Sequence, residues 1–166
     1  MPRGEFQMKK FALVALFALV VFGSAFAGTS GTVGLSGTVA PQFELTLPGN
    51  YTAGTMNDGA SEVNTWTIGN VAVVSNYKNW TISVSSANSG YLVHSTDNTE
   101  KVQYTMTLGS LATNQSLGSL WTSAAQARTP KTGSTYALSI KFTASATDFW
   151  QTGTYTDTLS VSITHP

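Results

Sequence analysis

The chain has 166 residues and carries eight basic and eight acidic side chains, for a formal net charge of zero. Beyond residue 27 the balance is five basic to seven acidic, so no basic surplus offers a nucleic-acid backbone an electrostatic footprint. The lack of cysteine excludes disulfide scaffolds, thiolate metal sites, thiol catalysis and a lipid-anchored N-terminal cysteine.

The N-terminus reads as an export signal. Lys9 and Lys10 precede the apolar run FALVALFALVVF, residues 11–22, and Ala25-Phe26-Ala27 supplies small residues for a peptidase. The run is shorter than the roughly 20 residues that cross a bilayer. Cleavage is expected after Ala27, leaving residues 28–166 as one domain without a membrane span. An uncleaved N-terminal anchor is the alternative.

The remaining chain is patterned for strands. Ser and Thr make up 43 of its 139 residues, and the threonines alternate with apolar residues, as a half-buried strand requires. In residues 33–47 the odd positions Val33, Leu35, Gly37, Val39, Pro41, Phe43, Leu45 and Leu47 form one face. At roughly 3.3 Å per residue this stretch is too long for one ordinary strand, and Pro41 is the expected break. Residues 48–64 have loop composition, with Pro48-Gly49 and Asp58-Gly59 as turn signals. Trp66, Ile68, Val71 and Val73 then predict a strand whose phase changes at Gly69-Asn70, where a bulge is expected.

Trp80, Ile82 and Val84 predict the next buried face, followed by a turn over 86–90 and a short apolar piece, Tyr91-Leu92-Val93. Val102, Tyr104, Met106 and Leu108 alternate again. Residues 109–134 show no sustained period, and Leu117, Leu120 and Trp121 are expected only to tack them to the core. Tyr136, Leu138, Ile140 and Phe142 restore alternation. The last strand presents Tyr155, Asp157, Leu159, Val161 and Ile163 on one face. Seven or eight such strands, with turn residues between them and no helical period, predict an all-β fold: an antiparallel, immunoglobulin-like β-sandwich. An eight-stranded outer-membrane barrel is the competing architecture. The loop-like stretch at 109–134 suits it poorly.

The closing segment GTYTDTLSVSI (153–163) is similar to the final strand of spore coat U-like and fimbrial subunit domains. The opening GTVGLSGTVAPQFELTL (31–47) resembles their first strands, and SSAN (85–88) their central part. The resemblance implies an exported β-sandwich that builds surface fibres or coats. Fimbrial subunits often carry a disulfide near their first strands, and this chain departs from that pattern. In such subunits an N-terminal arm, apolar at alternate positions with a glycine among them, inserts into the neighbouring subunit. Here the corresponding residues are Val33, Leu35, Gly37 and Val39. Residues 28–40 are therefore either a strand-exchange arm or an ordinary first strand paired within the domain.

Motifs for chemistry are sparse. His94 ends an apolar strand with no second ligand at i+2 or i+4, and His165 lies beside the C-terminus. No H-E-x-x-H, G-x-S-x-G or phosphate-binding glycine loop occurs. Asp58-Gly59 with Glu62, and Asp97-Asn98 with Glu100, are oxygen-rich but lack the alternating acidic pattern of a calcium loop. Solvated turns are expected there. Catalytic residues, a metal and a cofactor are not expected.

Trp66 and Trp80 share phase with aliphatic neighbours and are assigned to the core. Trp121 and Trp150 fall in loop-like stretches and are the candidates for stacking on a sugar ring. The leading functional expectation is an exported, non-enzymatic structural or adhesive subunit, located in the periplasm, at the cell surface or outside the cell. Its expected partners are copies of itself or related subunits. The alternative is a secreted carbohydrate-binding module that recognises a surface glycan through those tryptophans.

Overall fold

A computed structural model describes residues 31–166; the export signal expected over residues 1–27 lies outside the described residues. The chain divides at Thr38 and Val39. Of the first part, residues 31–38 form neither helix nor strand and are exposed throughout. The second part is an all-β sandwich of antiparallel strands.

Its first layer is a five-stranded sheet. In spatial order it runs β1 (Phe43–Thr46), β2 (Val63–Ser75), β9 (Ser134–Thr143), β6 (Thr105–Leu108) and β7 (Ala112–Ser116). Two three-stranded sheets supply the other side. One orders β10 (Tyr155–Thr156), β4 (Tyr91–His94) and β5 (Lys101–Gln103); the other orders β11 (Leu159–Thr164), β3 (Thr81–Ser86) and β8 (Trp121–Thr122). These two sheets adjoin end to end, because β3 leads into β4 and β10 into β11. The Ala87 N–H donates to the Thr158 carbonyl at 2.9 Å across the join. Among the described residues no sheet closes on itself, so the barrel alternative does not describe this fold.

Alternation places the core where the two sides meet. Val71, Val73, Met106, Leu108, Leu138, Ile140 and Phe142 project from the five-stranded sheet. Trp80, Ile82, Val84, Leu92, Val102 and Tyr155 meet them from the other side in one buried cluster. The Trp80 indole is fully enclosed, and its Nε1–H donates to the Ala127 carbonyl at 2.6 Å. That bond supplies the partner a buried indole needs. Trp66, expected in the core, is only half-buried; it sits edge-on to Phe142 at 5.0 Å and beside Tyr51 at 5.9 Å.

The phase change in β2 is a bulge between Thr67 and Gly69. Gly69 has φ +146°, and a Cβ there would lie 2.8 Å from the Pro48 Cβ. Glycine is required on both counts.

Two expectations need correction. The strand expected within residues 33–40 does not form, and the ladder with β2 begins only at Phe43, opposite Ser75. The physical stop is local. β2 ends at Ser75, and the next side chain, Asn76, caps the departing chain by donating to the Ala40 carbonyl at 2.8 Å and accepting from the Gln42 N–H at 3.0 Å. Pro41 between them has no N–H to offer a ladder. In the stretch read as irregular, 109–134, two strands form, β7 and β8, and Trp121 lies in β8.

Candidate functional site

One margin of the sandwich lies between β1 and β11. Each is an outer strand of its sheet, so each presents a row of backbone groups without a strand partner among the described residues. The two are drawn together at one end. The Tyr77 ring, just past β2, stacks on His165 at 3.7 Å, and Phe43 of β1 meets the same imidazole edge-on at 4.8 Å.

Along this margin the apolar side chains are only partly covered. Leu159, Val161 and Ile163 of β11 and Phe43 and Leu45 of β1 are half-buried, whereas Ile82 and Val84 on the adjacent β3 have no exposed surface at all. The strands themselves are well formed. What differs is that β3 has a neighbour on both sides and β11 on one.

Residues 31–39 carry the alternating pattern singled out in the sequence. Val33, Leu35 and Val39 are 86%, 93% and 83% exposed, and Gly37 between them is exposed as well. Exposure of three large aliphatics at alternate positions is unusual for a segment with no role in contact.

The sugar-stacking candidates are separated. Trp121 is half-buried in β8, opposite Val84. Trp150 lies in the loop after β9, where its N–H donates to Asp58 Oδ2 at 2.8 Å and its ring packs against Phe142 at 5.9 Å. Their rings do not pair with each other among the described residues, so they form no joint platform.

The two oxygen-rich loops are stabilised turns. The Asp97 carboxylate accepts from the Thr99 hydroxyl at 2.6 Å and the Thr99 N–H at 3.0 Å. These bonds, the hydroxyl's foremost, hold its pKa below the usual carboxylate value. Asp58 is engaged by Trp150, and the Asn64 side chain bridges to Asn57 in the same loop.

His94 is buried at the end of β4. Its Nε2–H donates to the Thr152 carbonyl at 3.1 Å, and its ring lies edge-on to Tyr155 at 5.1 Å. The Tyr155 hydroxyl in turn donates to the Gln151 carbonyl at 3.0 Å, the corner arrangement of sandwich domains. Desolvation, ahead of nearby carboxylates, raises the pKa of this phenol. The sequence marks Asp157 as a charge on the apolar face of the last strand, but not the groups that meet it in a polar junction. Its carboxylate accepts from the Tyr104 and Ser86 hydroxyls and from the Asn88 and Thr158 N–H groups. The signal available was a charge on the buried face of the last strand, which requires a partner.

No protein-family model matches the chain, and no curated protein matches it. Among solved structures it is similar to a chain in the chaperone-tip adhesion subunit pre-assembly complex CsuC-CsuE, from archaic chaperone-usher Csu pili of Acinetobacter baumannii. Identity is 21% and the TM-score 0.42, over 76% of this chain and 40% of that one. The chain thus spans less than half the length of that neighbour.

Proposed function

We propose that the protein is an exported, non-enzymatic structural or adhesive subunit, pilin-like or spore coat U-like, that associates with its own copies or related subunits by strand addition. One observation carries the reading. An exposed segment, apolar at Val33, Leu35 and Val39, occurs in a chain whose sandwich has an open margin lined by half-covered apolar residues. A strand added beside β11 would satisfy its free backbone groups while alternate side chains cover Leu159, Val161 and Ile163. The contact joins two different surfaces, so it need not close and can propagate into a fibre. The signal-like residues 1–27 and the pilin-like segments 31–47 and 153–163 agree with an exported subunit.

The test is self-association measured by light scattering over a range of concentrations. Multimers should form in the intact protein and vanish when residues 28–40 are deleted. A synthetic peptide of residues 31–40 should then restore stability to the truncated chain. A strictly monomeric protein at high concentration, with residues 31–40 protected from hydrogen exchange, would overturn the proposal.

A further inference from the structure

The run from Lys101 to Leu108 keeps one buried face while it changes sheets. β5 pairs with β4 through Lys101 and Gln103, whereas β6 pairs with β9 from Thr105 opposite Lys141. The crossing occurs at Tyr104, whose N–H donates to the Gly90 carbonyl at 3.0 Å. β9 continues beyond Lys141 to Thr143 without β6 beside it. The divergence opens a wedge between β5 and the end of β9, a cavity of about 580 Å³. That falls within the roughly 300–1,000 Å³ of small-molecule sites.

The wedge is lined by half-buried Trp150, backed by the buried Phe142 of the core, and by the polar side chains of Lys101, Lys141, Gln103 and Asn114. Its lining contains no carboxylate, although acidic residues outnumber basic ones beyond residue 27 by seven to five. Two of those five cations therefore lie on a concave surface whose lining side chains include no carboxylate; the Asp58 carboxylate is engaged by the Trp150 N–H at 2.8 Å. The Lys101 ammonium lies 4.9 Å from the centre of the Tyr91 ring, a contact that steadies the side chain without cancelling its charge. Trp150 is fixed on one side by Phe142 and through its backbone by Asp58.

An aromatic surface, two cations and two amides are the complement of an acidic sugar. We propose that the wedge binds an anionic saccharide. A ring rests on Trp150, a carboxylate or sulfate lies between Lys101 and Lys141, and the Gln103 and Asn114 amides bond hydroxyls. The inference stands apart from strand addition, since the wedge shares no residue with the arm or with β11.

Affinity electrophoresis of the purified protein through gels containing polygalacturonate, dextran sulfate or neutral dextran tests it. Retardation is expected in at least one acidic gel and not in neutral dextran. Polygalacturonate alone would identify a carboxylate ligand, dextran sulfate alone a sulfate, and both a site that reads charge. The double variant Lys101→Gln/Lys141→Gln should weaken retardation at least tenfold, and Trp150→Phe should weaken it less than Trp150→Ala. Lys78→Gln/Arg128→Gln, which changes two cations outside the wedge, should leave it unaltered. Equal retardation by neutral dextran or by oligo(dT), an unaffected Lys101/Lys141 variant, or equal loss in the Lys78/Arg128 variant would each overturn the proposal. Thermal melting confirms that every variant compared is folded.

Discussion

The Tyr104 hydroxyl donates to the Asp157 carboxylate, and the bond locks together two places where a strand is interrupted. Tyr104 separates β5 from β6, and Asp157 with Thr158 separates β10 from β11. The same carboxylate holds the turn after β3, through the Ser86 hydroxyl at 2.6 Å and the Asn88 N–H at 3.0 Å. Hydrogen bonds to a charged group contribute ~1.5–3 kcal/mol, and leaving their donors enclosed adds a further penalty. Asp157→Ala should therefore lower unfolding free energy by at least ~1.5–3 kcal/mol in urea melts. A change within the scatter of surface variants would show that the junction contributes nothing.

That bond also sets a pH dependence. Burial, reinforced by the hydrogen bond to Asp157, raises the Tyr104 pKa well above its ordinary 10.0. Above pH 10 the unfolded chain releases this proton while the folded chain retains it, so the stabilisation is complete below that value and declines as pH rises. The slope for one such group is about 1.4 kcal/mol per pH unit. Urea melts between pH 8 and 11 should show stability falling less steeply for Tyr104→Phe than for the natural protein. Parallel slopes would exclude Tyr104 as the group responsible.

Tyr155 closes the β4 side of the core with both ring and hydroxyl. Truncation to Ala should cost roughly 3–5 kcal/mol, as for other large aromatic losses. Tyr155→Phe removes only the bond to the Gln151 carbonyl, for an expected cost of ~0.5–1.5 kcal/mol. Calorimetry separates the two contributions, and an unchanged melting curve for Tyr155→Ala would refute the corner role.

Two glycines are fixed by their neighbours. A Cβ on Gly153, at φ +153°, would lie 1.9 Å from His94 Nε2 and displace the imidazole from the Thr152 carbonyl. At Gly69 it would meet Pro48. Gly153→Ala and Gly69→Ala should each destabilise by ~1–3 kcal/mol or more. Gly54→Ala, where nothing lies within 4 Å, should stay within about 0.5 kcal/mol of the natural protein. Equal melting temperatures for all three variants would mean the close approaches are readily relaxed.

Where one face is buried and apolar, the sequence made the strands legible: β3 and β11 alternate Val, Ile or Leu with Ser or Thr, and β2 and β9 keep period two with Trp66, Tyr136 and Phe142 among the apolar residues. Alternation alone could not reveal the change of sheet at Tyr104. Val102, Tyr104, Met106 and Leu108 face one core throughout, and exchanging hydrogen-bond partners leaves no mark on side-chain period. β7 was missed because it is an outer strand whose Thr113 and Asn114 are exposed, with Asn114 at positive φ breaking the regular pattern. The alternating residues 33–39 form no strand among the described residues, since period two reports only a capacity to pair. The wedge was illegible for another reason. Lys101, Lys141 and Trp150 meet only through the fold, and only Trp150 stood out by residue type.

The open margin distinguishes two valines that the sequence renders alike. Val84 and Val161 are paired neighbours on β3 and β11, facing the same core. Val84 is fully enclosed, while Val161 is half-covered and flanked by the free edge. Removing methyl groups costs transfer free energy in proportion to the area buried, with an added term where a cavity remains. Val84→Ala leaves such a cavity and should cost ~2–4 kcal/mol. Val161→Ala in the monomeric protein lacking residues 28–40 should cost less than half as much, because water already reaches the site. If strand addition operates as proposed, Val161→Ala in the intact protein should weaken self-association, and Val84→Ala should act mainly on folding. The measurements are urea melts of the truncated monomer and light scattering of the intact protein. If Val161→Ala costs the isolated monomer as much as Val84→Ala, the β11 face is already filled from within, and no donated strand is needed to complete it.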